Sequence, residues 1–304
     1  MSALKDLGFE QGPPPEFGST PELWVHERFQ GAISLGFRVR AQLHQEQSPY
    51  QQIAVYDTFL HGRMLALDGV IMLTERDEFI YHELLVHVPM FTLAQARRAL
   101  VIGGGDGGAV RELCKHPGLE EITLVEIDQR VVEVSKQHLP ALAAGFSDPR
   151  VKLVFMDGAQ FVKESPAGAY DLIVVDSTDP IGPGKVLFSR EFYRDAARAL
   201  KPGGALSAQT ESPLYHPEVI RGIYSNLAAA FNNPFMFWGV IPTYLGGLYT
   251  FAYASASRHP LRDFQPRGLA GMDLKYYNEQ LHPAGFALPR IALDCLPEGL
   301  PQKK

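Results

Sequence analysis

Cysteine is scarce. Cys114 and Cys295 are the only two in 304 residues, so the chain signals neither a disulfide framework nor a thiolate-rich metal centre, and both are expected to be reduced and structural. An excess of charge is missing too. The net charge of −6 argues against nucleic acid or an anionic membrane as partner, and it is too small to demand a cationic one. No apolar run approaches the ~20 residues that cross a bilayer, and the opening "MSALKDLGFEQGPPPEFGSTPELW" has no apolar signal-peptide core. Internal repeats and low-complexity tracts are absent. These absences leave the expectation of a soluble, cytoplasmic globular protein. At 46% hydrophobic and 20% charged residues, it can bury one large core or two smaller ones.

Residues 1–21, with three consecutive prolines, read as a flexible lead-in. From 22 to about 75 apolar and polar residues alternate in short runs: "AISLGFRVRAQLH", "YQQIAVYDTF" and "RMLALDGVIMLT", the last with an Asp-Gly turn. This predicts a small antiparallel β domain over 22–80. "ERDEFIYHELLVHVPMF" then has helical periodicity with acids in its first turn. Over 81–304 strand-like runs ("RALVIGG", "ITLVEID", "VKLVFMD", "YDLIVVDS", "GALSAQT") alternate with helix-like ones ("AVRELCKH", "QRVVEVSKQHL", "SREFYRDAARALKPGG"). That predicts an α/β, doubly wound parallel sheet, a Rossmann-like second domain. "FMFWGVIP" and "GLYTFAYAS" have no helix between them and are expected to pair antiparallel, the methyltransferase-type ending of such a sheet.

In "LVIGGGDGGAVRE", residues 100–112, an apolar strand runs into five glycines and then into helix. Nucleotide-binding α/β proteins build such a turn to cup a ligand at a helix N-terminus. Gly103, Gly105 and Gly108 fit the dinucleotide spacing, but Asp106 stands among them. A phosphate ~4 Å from a carboxylate is repelled by several kcal/mol at intermediate dielectric, so a pyrophosphate is disfavoured. S-adenosylmethionine would bring this loop a carboxylate as well as an ammonium. A nucleoside whose tail ends in a bare ammonium suits Asp106 best.

The same strand-end logic extends along the chain. Ligands of open α/β sheets sit at the carboxyl ends of the strands, and successive strands here end at Asp106, Glu126, Asp157 and Asp176. A lone acid at such a position is commonly a helix N-cap; four in succession predict a shared ligand site. Glu126, about twenty residues past the glycines, suits ribose hydroxyls, and Asp157-Gly158 would reach an adenine amino group. In "VVDSTDPIGPGKVLF", Asp176 and Asp179 stand close together before a Pro/Gly-rich loop that could close over a site. The pair suits an amine or a divalent metal, and the shortage of further oxygen or histidine ligands favours the amine. "HELLVH", His82–His87, imitates a zinc-binding helix. At that spacing, however, the histidines point about 140° apart and cannot share an ion, which leaves His87 structural.

Together these stretches, with "SPYQQIAVYDT", "DPRVKLVFMDGAQFV", "AQTESP", "IPTYLGGLYTFAYAS" and "KYYNEQLHPAGFALP", resemble the spermidine synthases, the polyamine aminopropyltransferases, over about residues 22–292. The resemblance implies transfer of the aminopropyl group of decarboxylated S-adenosylmethionine, as co-substrate, to putrescine. The products would be spermidine and 5′-methylthioadenosine. It also implies a homodimer or homotetramer, no metal and no permanently bound cofactor. Carried over by position, Gln51, Asp106, Glu126, Asp157, Gly158 and Pro183 would hold the nucleoside and its aminopropyl tail, with Asp106 on the ammonium. Tyr81, His82, Asp179 and Tyr244 would line the acceptor channel, Asp176 would be the base, with Tyr81 a relay, and Gln209 would lie near the attacking amine. Thr178 replaces a common serine, and Leu245, beside Tyr244, replaces a common proline; the second bears on acceptor choice. Alternatives are another acceptor (cadaverine, agmatine, spermidine or 1,3-diaminopropane), an S-adenosylmethionine methyltransferase, which leaves the paired acids unexplained, and a non-catalytic binder, which has no need of Asp176 and Asp179.

Overall fold

The computed structural model describes residues 22–178 and 182–300. The lead-in of residues 1–21 and Asp179 lie outside the described residues. Five strands, β1 (Leu23–Phe29), β2 (Ile33–Gln47), β3 (Gln52–Thr58), β4 (Arg63–Leu67) and β5 (Val70–Thr74), pair in chain order as an antiparallel sheet. Between β4 and β5, Asp68 and Gly69 have φ of +50° and +81°. That is the pair of positive angles a two-residue type I′ hairpin requires.

A second sheet contains β6 (Arg98–Gly103), β7 (Glu121–Glu126), β8 (Val151–Phe155), β9 (Tyr170–Asp176), β10 (Leu200–Glu211), β11 (Phe235–Val240) and β12 (Leu248–Ser255), in the order β11-β12-β10-β9-β6-β7-β8. The run from β10 to β8 is parallel. β12 inserts antiparallel between β10 and β11, the expected methyltransferase-type ending. The connecting helices are α1 (Glu78–Met90), α2 (Gly108–Cys114), α3 (Gln129–His138), α4 (Gly158–Glu164), α5 (Arg190–Ala199) and α6 (Pro217–Ala228), with short α7 (Leu281–Ala284) and α8 (Arg290–Leu293) near the end.

The strands β6, β7 and β9 are near-continuous Val/Ile/Leu runs because helices cover both faces. One core packs α1 and α2 against the sheet, and a second packs α5 and α6 against the opposite face. Every residue of helix α1 but Phe79 is buried, including the polar Glu78, His82, Glu83 and His87, each of which is hydrogen-bonded. The N-terminal sheet is seated on α3 through Ile53, Val55, Leu65, Val131 and Val134. The run "ARALKPGG" leaves the helix earlier than its pattern predicts: α5 stops at Ala199 and β10 starts at Leu200. Its parallel register to β9 breaks between Leu200 and Ala205, where Pro202 has no N–H to give the ladder. Among the described residues no helix is long and apolar enough to cross a membrane.

The strand order positions the site. The connection after β6 leads to β7 on one side and that after β9 leads to β10 on the other, so a crevice opens above the carboxyl ends of β6 and β9. In register, Gly103 pairs with Asp176, which brings the glycine loop and the fourth acid to that crevice.

Candidate active site

A cavity of about 260 Å³ lies over the carboxyl ends of these strands and is lined on its other side by Leu65, Leu67 and Met72 of the N-terminal sheet. Gln51, Tyr81, His82, Asp106, Glu126, Asp157, Gly158, Asp176 and Tyr244 all line it. Pro183 belongs to a 3₁₀ turn, Gly182–Phe188, whose Gly184 and Val186 reach the cavity.

Close backbone approach explains the glycines. A Cβ on Gly103, at φ +79°, would stand 2.2 Å from the Asp176 carbonyl oxygen, and the Gly104 N–H donates to that oxygen at 2.7 Å. The Asp106 Oδ1 accepts the Gly108 N–H at 2.7 Å. The carboxylate thus takes for itself the helix N-terminal donor that a phosphate would use in a dinucleotide site.

Asp176 is 8% exposed. Its Oδ1 accepts the Tyr81 hydroxyl at 2.8 Å, while its Oδ2 is buried with no hydrogen-bond partner among the described residues. Burial, then the neighbouring Asp106 charge, pushes its carboxyl up to about 6. Burial also drives the Tyr81 phenol well above its usual range, and the Asp176 charge adds to this. Tyr81 therefore remains a hydroxyl donor rather than a site of ionisation.

Asp106 stays charged for a different reason. Burial alone would raise its carboxyl, but His82 and the Gly108 N–H hold it below the usual carboxylate range. The His82 Nε2 lies 3.3 Å from Asp106 Oδ1 and its Nδ1 2.7 Å from Glu78 Oε2. Burial opposes charge on the imidazole, yet the two carboxylates raise it well above its ordinary value. Glu78 is in turn gripped by both terminal nitrogens of Arg111 at 2.8 and 2.9 Å, and Arg111 reaches Glu112 at 2.8 Å. The result is a chain of alternating charges running back from the cavity between α1 and α2. One donor atom each from His82, Asp106 and Asp176 falls within 4.8 Å of the others, a spacing a metal ion could use. In this structure both His82 nitrogens already face carboxylates, those of Glu78 and Asp106. What remains is two carboxylates and a fixed cation behind one of them.

The Gln51 Nε2 donates to Asp128 Oδ2 at 3.1 Å. Glu126 accepts the Asp128 N–H at 2.9 Å, and burial pushes its carboxyl up to about 7. Asp157 serves as both cap and wall: its Oδ1 accepts the Gln160 N–H at 2.8 Å as the N-cap of α4 while the residue lines the cavity. The Tyr244 hydroxyl donates to the Met72 carbonyl at 2.8 Å, tying the β11–β12 loop to the N-terminal sheet. Gln209 is not among the cavity-lining residues. It is 1% exposed, accepts the Tyr249 hydroxyl at 2.6 Å and donates to the Ser177 and Thr178 carbonyls, each at 3.3 Å. It thereby anchors the chain just after Asp176.

Sequence reasoning misses Asp77, Glu78, Arg111 and Thr243. Asp77 Oδ2 accepts the Thr243 N–H at 2.8 Å and its hydroxyl as well, joining residues 166 apart in the chain. The i,i+4 spacing of Glu78 and His82 was the one local signal. Both cysteines are free, and burial pushes the Cys114 thiol up to about 12, far from nucleophilic at neutral pH.

The sheet order and the crevice at its switch point place the chain among Rossmann-like proteins of the methyltransferase type, with an N-terminal β sheet as an added wall. Comparison with known proteins narrows the class. Residues 78–265 match the spermine/spermidine synthase domain and residues 23–75 the spermidine synthase tetramerisation domain. The polyamine aminopropyltransferase of Moorella thermoacetica is 46% identical, the alignment covering 90% of this chain and 96% of the relative. That of Desulforudis audaxviator is 43% identical over 90% and 98%. A crystal structure of spermidine synthase in complex with the transition-state analogue AdoDATO superposes with a TM-score of 0.88 at 36% identity, covering 95% of this chain and 98% of that one. The spermidine synthase of Thermotoga maritima gives 0.85 at 35%, with the same coverage. The chain belongs to the spermine/spermidine synthase family, the polyamine aminopropyltransferases, and is a transferase.

Proposed function

We propose that the enzyme transfers the aminopropyl group of decarboxylated S-adenosylmethionine to putrescine, releasing spermidine and 5′-methylthioadenosine. The observation that carries this reading is the pair of part-buried Asp106 and buried Asp176: one is held charged by His82, and the other has a buried oxygen with no partner among the described residues. Cationic amines satisfy both. In this reading Asp106 takes the ammonium of the aminopropyl tail, and Glu126 and Gln51 take the nucleoside. Asp157 and Gly158 flank the adenine, Pro183 lies on the covering turn, and Tyr244, Tyr81 and Asp179 border the acceptor. His82 acts through Asp106 rather than on the acceptor amine.

A primary amine with a lysine-like pKa is roughly 0.1% or less unprotonated at pH 7, so the acceptor must lose a proton before it attacks. Asp176 receives that proton on Oδ2 while Tyr81 holds Oδ1 in place. The freed lone pair attacks the methylene beside the sulfonium, and the C–S bond pair returns to sulfur, leaving a neutral thioether. Alignment of nucleophile and electrophile in a dry cleft supplies much of the rate. Because sulfonium is a good leaving group, the reading requires no metal. The likeness to spermidine synthase structures favours putrescine, the diamine whose aminopropylation yields spermidine.

The test is a product assay by mass spectrometry with decarboxylated S-adenosylmethionine, a panel of amines and a chelator, beside parallel reactions with S-adenosylmethionine. Spermidine and methylthioadenosine formed together, fastest with putrescine, are the expected result. A faster reaction with another amine would replace the acceptor, and methyl transfer would overturn the reading.

A further inference from the structure

Asp128 is not part of the cavity wall, yet it holds two residues that are. It is 1% exposed and caps α3, its Oδ1 accepting the Arg130 N–H at 3.0 Å. Its Oδ2 accepts the Ser48 hydroxyl at 2.6 Å and the Gln51 amide at 3.1 Å, both from the β2–β3 turn of the other sheet. Its backbone N–H donates to Glu126 Oε1. An ionised carboxylate only accepts hydrogen bonds, so Gln51 can offer it nothing but the NH₂ end of its carboxamide. The oxygen end is left for the cavity that Gln51 lines.

We propose that Asp128 is a positioning residue that sets the polarity of the Gln51 carboxamide, turning its oxygen toward the nucleoside as an acceptor for hydroxyl donors. The inference rests on the nucleoside reading of the site. It distinguishes this wall from one that would present an N–H to a phosphate, the same choice that Asp106 makes in the glycine loop.

Asn caps helices about as well as Asp, so Asp128→Asn leaves α3 intact but puts an NH₂ where the carboxylate oxygen faced Gln51. The Gln51 carboxamide must then turn over and direct its own NH₂ into the cavity. Adding Gln51→Glu reverses this: the carboxamide introduced by Asp128→Asn donates to one oxygen of the new carboxylate, and the other oxygen faces the cavity.

The experiment is calorimetric titration of the full chain with 5′-methylthioadenosine, alongside initial rates and thermal unfolding. Asp128→Asn is expected to weaken binding about 10- to 100-fold, the effect of an unmatched buried donor. The KM for the nucleoside should rise in step, while kcat and the amine KM change less than about threefold. The double variant should regain about tenfold, a reciprocal rescue that a merely structural role cannot produce. Binding unaffected by Asp128→Asn, or a double variant no better than that single one, would overturn the proposal. If the unsubstituted chain bound no methylthioadenosine, the nucleoside reading would fall, and this inference with it.

Discussion

In the proposed mechanism Asp176 costs stability in return for reactivity. Its carboxyl titrates near 6 where an unfolded Asp titrates near 4. Between those values the folded chain keeps a proton that the unfolded chain has lost, so the unliganded protein loses stability as pH rises through that window. Asp176→Asn removes the ionisation. Its melting temperature is expected to exceed that of the unsubstituted chain at pH 8 but not at pH 4, while turnover falls about 10²- to 10⁴-fold and methylthioadenosine still binds. Parallel melting curves for the two proteins from pH 4 to 8 would remove Asp176 from this role. The four strand-end acids were legible in the sequence because each follows within a few residues of a run of branched apolar residues. The partners that set their ionisation were not: Arg111 and Glu78 are 33 residues apart, and no local pattern says which charges meet between two buried helices.

Helices α1 and α2 approach so closely that Gly108 has no room for a side chain. A Cβ there would lie 2.3 Å from the His82 ring, which is 2% exposed and bonded to Glu78 and Asp106. Gly108→Ala is expected to cost about 1–3 kcal/mol of stability by overpacking and to raise the nucleoside KM as His82 is forced off Asp106. Denaturant unfolding and initial rates check both effects. Unchanged kinetics would mean that the ring relocates without disturbing the carboxylate. Gly108 was legible in the sequence as a dinucleotide-type spacing element, but the structure gives its absent side chain a different use, seating an imidazolium. The β4–β5 hairpin lies at the other extreme: Asp68-Gly69 specifies the turn locally, and the ladder pairs from it with one shift, at Met72 between Ile71 and Leu73.

At the scale of the molecule, β1 is an edge strand of the N-terminal sheet among the described residues, with Leu23 50% and Trp24 46% exposed. An edge strand bearing large apolar side chains invites another chain, and this sheet is the segment that matches the tetramerisation domain. The protein is expected to sediment as a tetramer, and Trp24→Asp should shift it toward smaller species; a monomer at every concentration would contradict this. The alternation of strands and helices made the two sheets legible, whereas their closure over one cavity depends on contacts such as Asp77–Thr243, which only the folded chain brings together. That closure shields Asp106, 15% exposed, from much of the solvent that would screen its charge. The most direct measurement is therefore the ratio of kcat/KM for decarboxylated over carboxylated S-adenosylmethionine, in the unsubstituted enzyme and in Asp106→Asn. A carboxylate that selects a bare ammonium predicts a ratio at least about tenfold lower in the variant; an unchanged ratio would contradict that account of the glycine loop.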